Sequence, residues 1–310
     1  MVDIDIAEGR INKIAGKYYL RLCAWIDKKE MWTVNGNAVA NAMMVHMKGH
    51  FREYVLAQAD KLIDKSNAFS TSFAVEKSRY EGVSRNDKPA TNYGIFIKRM
   101  RDIYKGFMQD TDENGRKNGY WLMKKLGVKV CPYCNRNYTV TVATRDIQVR
   151  PEYDHFWPEA LHPSLILSFY NLVPSCPQCN HLKKVQELDV NPWQGYKESE
   201  RPHFRVDTST GDFPARPVIL IENGNRNTQR LGVKELYNEH RDYVKDILDK
   251  IQAYNPVTYH AINKDFQGIV HTDTELERMI WGNYTEMDDA GKRPMAKLTA
   301  DILEQYKKYI

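Results

Sequence analysis

Cys131-Pro-Tyr-Cys134 and Cys176-Pro-Gln-Cys179-Asn180-His181-Leu182-Lys183, with 41 residues between the two cysteine pairs, are the stretches on which the reading of this chain turns. A C-x-x-C knuckle aims two thiolates at one point, and two knuckles complete a tetrahedral four-sulfur site suited to zinc. Two matched pairs are poorly explained as redox or core cysteines, since a thioredoxin-like reading would account for one pair and leave the other over. Cys23 stands alone and reads as a small core residue. A site closed by four thiolates has no open position, so the expected Zn²⁺ is structural. The separation of the knuckles requires that something be inserted between them.

That insert carries Asp154-His155-Phe156-Trp157-Pro158, then His162-Pro163-Ser164, then Asn171-Leu172, and it runs into Asn180 and Lys183 behind the second knuckle. Carboxylate and carboxamide oxygens are hard ligands that suit Mg²⁺ or Mn²⁺, whereas thiolates select zinc. An imidazole near neutrality is the natural general base. One hard cation and one base suffice to hydrolyse a phosphodiester. Isolated histidines such as His162, His203 and His240 read as surface or satisfied residues. Phe156, Trp157 and Tyr170 read as core residues packing a hairpin against a helix.

In order and spacing, Asp154-His155, Asn171-Leu172 and Cys176-x-x-Cys179-Asn180 with Lys183 resemble the HNH endonucleases, a family with a ββα-metal core and flanking zinc knuckles. The likeness runs from about Cys131 to Lys184, under a fifth of the chain. The wording around Tyr153–Pro158 and Ser168–Cys179 is also similar to the HNH subunits that accompany ATPases in Septu-type anti-phage defence. The resemblance implies that His155 is the general base and that Asp154 and Asn180 hold the catalytic divalent cation. It implies that Asn171 fixes the loop carrying His155, and that Lys183 contacts phosphate. Asn180 stands where the family often has His, which makes an H-N-N variant and leaves the neighbouring His181 as the other candidate ligand.

Around this module the chain reads as α+β with mainly helical flanks: residues 1–110, the module at 111–190, and 191–310 with short strands followed by helices. Apolar spacing predicts helices over 36–64, Asn92–Met108, Gly119–Leu126 with Gly127 as its cap, and from Leu231 to about Ile251. A last amphipathic helix is expected with Leu298, Ile302, Tyr306 and Ile310 on one face. Strands are expected over Asn137–Thr144, Phe204–Val206 and Val218–Ile221, with a hairpin near 138–160 and a helix starting near Cys176–Asn180.

The formal charge of +5 decides little, but its distribution does more. Arg85 to Lys129 holds eleven basic and five acidic residues, while Cys131 to Val190 holds five and six. A positive grip upstream of the chemistry is expected, with Lys98, Arg99, Arg101 and Arg136 as nucleic-acid contacts, against the plainer reading of solvated helix faces. No secretory leader and no span of about 20 apolar residues is evident, so a cytoplasmic protein with no membrane role is expected. The expected substrate is DNA. The alternatives are an RNA-cleaving enzyme, a partner-gated nuclease with an ATPase as the partner, and an inactive zinc-stabilised nucleic-acid-binding subunit.

Overall fold

β-Branched residues over Asn137–Thr144 predict a strand, and in the computed structural model this segment pairs in two short pieces, Tyr138 bridging Val130 and Val142–Ala143 lying against Gln148–Val149. The structure describes residues 1–112, 115–144, 146–254, 256–265 and 272–309. Within 137–144 only β1, Val142–Ala143, joins a ladder, with β2 at Gln148–Val149. Tyr138 and Val140 are 59% and 50% exposed. Strand propensity measures fit to a half-buried pleated surface, and the side chains of Tyr138 and Val140 find none, while Thr139 is buried. The hairpin that matters lies further on. β3, Glu152–His155, pairs antiparallel with β4, Leu172–Ser175, with Asp154 opposite Val173 and His155 opposite Leu172. The connection is a folded loop over 156–171, and β4 leads directly into α8, Pro177–Lys183, with Cys176 at its N-cap.

Seven helices precede this unit: α1 Glu8–Lys28, α2 Ala38–Gly49, α3 Phe51–Val55, α4 Leu62–Ser72, α5 Ala74–Gly82, α6 Asn92–Gln109 and α7 Asn118–Leu126. The single helix expected over 36–64 is therefore broken. His50, at φ −114° and ψ 16°, ends α2 and starts α3, and Gln58 is extended before α4 begins. α7 ends as its sequence predicts, on Gly127 at φ +67°, the left-handed position that glycine takes without steric cost. Beyond α8, β5 His203–Asp207 and β6 Val218–Glu222 form a two-stranded ladder. α9 Arg226–Arg230, α10 Val233–Asn238, α11 Arg241–Ala253, α12 Pro256–Asp265, α13 Asp273–Trp281 and α14 Ala296–Gln305 follow. The helix expected from Leu231 to Ile251 is thus two, parted at Glu239-His240. α14 buries Leu298 and Ile302 as its spacing requires, while Ile310 lies outside the described residues. The protein is a mixed fold of many helices and short antiparallel strand pairs, and among the described residues no helix is long and apolar enough to cross a membrane.

Two hydrophobic cores meet at the β3–β4 hairpin. The first is built from α1, α2, α4, α6 and α7 and takes in Tyr153, Leu165 to Leu167, Phe169 and Leu172. The second contains the four knuckle cysteines with Phe156, Val173, β5, β6, α10, α11 and α14. Successive strand residues point to opposite faces, so Leu172 and Val173 serve different cores. Cys23 is half-buried against the first core, as a small apolar residue would be.

α6 carries Tyr104 to the hairpin, and its start is fixed by a close approach. A Cβ on Gly94 would lie 2.0 Å from the Lys88 carbonyl oxygen. Elsewhere in a helix Gly→Ala gains about 1 kcal/mol. Here Gly94→Ala is expected to lower stability by about 1–3 kcal/mol, since the obstructing atom is backbone. Urea denaturation checks the sign, and a stabilised variant would contradict the packing at this turn.

Candidate metal centre and polar site

The four cysteines converge. Cys131, Cys134, Cys176 and Cys179 are buried, and their Sγ atoms all lie within 4.8 Å of one another. Tetrahedral zinc with Zn–S near 2.3 Å requires S···S separations of about 3.8 Å, so a small contraction would close the site on an ion. The sulfurs already accept N–H donors: Arg136 N to Cys134 at 3.3 Å, Cys176 N to Cys131 at 3.4 Å, and Asn137 Nδ2 to Cys176 at 3.3 Å. Donors of this kind favour thiolates. The Cys176 thiol is held far below its usual range by hydrogen bonds from Cys131, Cys134 and Cys179, with Asn137 adding to them. These four residues could hold a metal ion such as zinc. The first knuckle turns on Asn135 at φ +52°, where its buried side chain donates to Ala290 O at 2.7 Å and accepts from Lys297 N at 2.9 Å. The knuckle is thereby stitched to the start of α14.

Beside the cysteines, β3 and α8 bring the polar residues together. Glu152 and Asp154 share one face of β3, and Asn180 and Lys183 lie one helical turn apart on α8. Asn180 Nδ2 donates to Glu152 Oε2 at 2.6 Å, leaving its Oδ1 for another partner. Lys183 Nζ lies 3.1 Å from Asp154 Oδ1 and donates to His155 O at 2.7 Å. Tyr133 OH, on the first knuckle, donates to Asp154 Oδ2 at 2.5 Å. Asp154 is 3% exposed and Lys183 is 0% exposed. Burial lowers the Lys183 pKa, and the Asp154 carboxylate opposes that fall. The expected phosphate contact at Lys183 is therefore corrected: its ammonium is an internal counter-ion, enclosed between α8 and β3.

His155, at the end of β3, is partly buried. Its Nε2 lies 3.0 Å from the Ile166 carbonyl oxygen, and its ring meets Tyr104 edge-on at 4.8 Å. A carbonyl only accepts, so Nε2 carries the proton. Burial lowers the pKa, which keeps the ring neutral and leaves Nδ1 as its basic nitrogen. Asn171 braces the loop that follows. Its Oδ1 accepts from Trp157 N at 2.7 Å, and its Nδ2 donates to Trp157 O and Leu165 O at 3.1 and 3.0 Å. His181 is exposed, and its ring has no partner among the described residues.

The basic residues expected to grip nucleic acid are mostly engaged. Arg136 bonds Gln178 Oε1, His240 Nε2 and Leu236 O, which ties the first knuckle to α8 and α10. Arg101 pairs with Glu159 at 2.8 Å, Lys98 with Asp102 at 2.8 Å, and Arg99 donates to the Met31 sulfur. Lys98 remains largely exposed.

Sequence reasoning missed Glu152, Tyr133 and Tyr104. Glu152 had a signal, being two residues before Asp154 on a strand, and so on its face. The tyrosines had none. A relay was also missed: Ser66 Oγ is 2.9 Å from His162 Nδ1, and His162 Nε2 is 2.8 Å from Glu187 Oε1. Ser66 is 2% exposed. The trio is a polar staple between α4 and the loop after β3, with the serine closed to any substrate, so His162 is the satisfied residue expected. Compared with family models, curated proteins and solved structures, the chain gives no match.

Two outcomes are expected. Lys183→Met strands a buried carboxylate and should cost about 3–5 kcal/mol in urea denaturation, whereas a surface phosphate ligand would change stability by less than about 1 kcal/mol. Elemental analysis should find one zinc per chain, lost in Cys176→Ser, and stripping it with a chelator should lower the melting temperature. Wild-type protein without zinc and with an unchanged melting temperature would sink the metal reading.

Proposed function

We propose that the chain is an HNH-type endonuclease, with the module at 152–183 as its catalytic core and DNA as its substrate. The observation that carries this reading is the strand–strand–helix order of β3, β4 and α8. It is set on the four-cysteine cluster and carries Asp154 and His155 on β3 and Asn180 on α8, with Asp154 buried against Tyr133 and Lys183.

In the proposed reaction, His155 Nδ1 takes a proton from water as the oxygen attacks phosphorus. The bond to the 3′ oxygen breaks, and that oxygen takes a proton from solvent water, leaving a 3′-hydroxyl and a 5′-phosphate. The Nε2–H bond to Ile166 O orients the ring and compensates the charge it acquires. Asn171 keeps the loop after His155 in place through three bonds. A divalent cation would supply phosphate neutralisation and stabilise the leaving oxygen. The donor set fits a hard cation in kind: Asp154, the free Oδ1 of Asn180 and, beyond the family pattern, Glu152. Asp154 shares its carboxylate with Lys183, so Glu152 and Asn180 are the more accessible of the three. An ATPase partner and a role in anti-phage defence rest on the sequence resemblance alone.

The test compares wild type and His155→Ala on plasmid DNA and on total RNA, with Mg²⁺ or Mn²⁺ and with EDTA. Metal-dependent cleavage is expected, reduced roughly 10²–10⁴-fold in the variant. Cleavage of RNA alone would transfer the proposal to a ribonuclease. Cleavage that survives both EDTA and the substitution would remove His155 and the cation from the mechanism. No cleavage of either nucleic acid by folded, zinc-loaded protein would favour a partner-gated nuclease or a binding subunit.

A further inference from the structure

α1 and α7 pack side by side, and between them opens a cavity of about 600 Å³. Six cationic side chains line it: Arg10, Lys13 and Lys17 from α1, Lys124 and Lys125 from α7, and Arg116 just before α7. Among the described residues, no acidic one lines it. Arg10, Lys13 and Lys17 recur every three or four residues, so they rise along one face of α1. Buried Ile14 and Trp121 supply the apolar part of the wall.

Six cations share this one concavity. Some exposed lysines elsewhere have acidic partners, as Lys65 has Glu53 and Lys245 has Asp249. Among the described residues, none of Lys13, Lys17, Lys124 and Lys125 has a carboxylate at ion-pair distance. Like charges gathered in one concavity repel, and they focus a positive potential that a ligand of opposite sign relieves. The frame holding them is braced. Arg10 Nη2 donates to Lys125 O at 2.9 Å and joins the two walls. Arg21 lies 4.5 Å over the Trp121 ring while bonded to Asn118 and paired with Asp112.

We infer that this cavity is a binding site for a compact polyphosphate, the triphosphate chain of a nucleotide or inorganic polyphosphate, held by the lysines and arginines of α1 and α7. Its volume is that of a small-molecule site. A nucleic-acid strand needs cations strung along a track, and on neighbouring α6 two of the four are paired, Lys98 with Asp102 and Arg101 with Glu159. Phosphate chains concentrate negative oxygens in a short length, which six cations around one cavity match. The inference is independent of the nuclease reading, because none of these residues belongs to the module at 152–183.

The test is calorimetric titration of the full chain at low salt with inorganic tripolyphosphate, with ATP and with a short single-stranded oligonucleotide. It is repeated on Lys13→Glu/Lys124→Glu. Both lysines are exposed on helix surfaces and Glu is a good helix former, so the variant should fold, which circular dichroism verifies. Saturable binding of tripolyphosphate or ATP at one per chain is expected, weakened roughly tenfold or more in the variant and by added salt. Tighter binding of ATP assigns the site to nucleotides, and equal binding assigns it to the phosphate chain alone. No saturable binding, binding that ignores the substitutions, or an oligonucleotide that binds more tightly than either compound would overturn the inference.

Discussion

A short hairpin buried on both faces is the constraint on which the rest of the structure depends. β3 and β4 are four residues each, far too short to be stable alone. They persist because the helical core takes Tyr153 and Leu172 while the cysteine-containing core takes Phe156 and Val173. Side-chain alternation leaves no neutral face, so a slip of one residue would exchange the two sets and ruin both cores. The register that places Asp154 beside Lys183, and His155 at the strand end, is therefore imposed from outside the hairpin.

The cysteine cluster secures the other side of the same unit. Cys176 caps α8, and α8 carries Asn180 onto Glu152 and Lys183 onto Asp154. Tyr133, between the cysteines of the first knuckle, reaches the same carboxylate. Asp154 is thus bonded from both knuckles at once, and the cluster and the polar site form one mechanical body. A buried Lys–Asp pair contributes little net stability against an apolar substitute, but it penalises any arrangement that leaves one charge alone. Its effect is to fix the pose of α8 against β3.

How much of this was legible in the sequence depends on the range of each interaction. The C-x-x-C pairs were legible because knuckle geometry is local, as was the end of α7 at Gly127. Asp154, His155 and Asn171 were singled out by their spacing around the knuckles, and they lie on β3 and at the end of the loop that Asn171 braces. The β3–β4 pairing was not legible, since burial on both faces erases the period-two alternation and 16 residues separate the strands. Residues 137–144 carry strand composition but pair only in two short pieces, with Val130 and with Gln148–Val149. Lys183 misled because lysine is almost never fully buried unless paired, and its partner lies 29 positions away.

The distribution of charge shows the same limit of range. A count along the chain finds the basic excess of residues 85–129, but it cannot separate cations that neighbours neutralise from those left open. Lys98 and Arg101 fall in the first group and Lys124 and Lys125 in the second, though all four lie within the same basic stretch. Arg10, Lys13 and Lys17 are about a hundred positions upstream and join the second group only through the packing of α1 on α7. Net charge describes what a polyanion meets at long range. Which cations are free to bind it is decided by tertiary structure, and here the packing of α1 on α7 gathers six of them around one cleft.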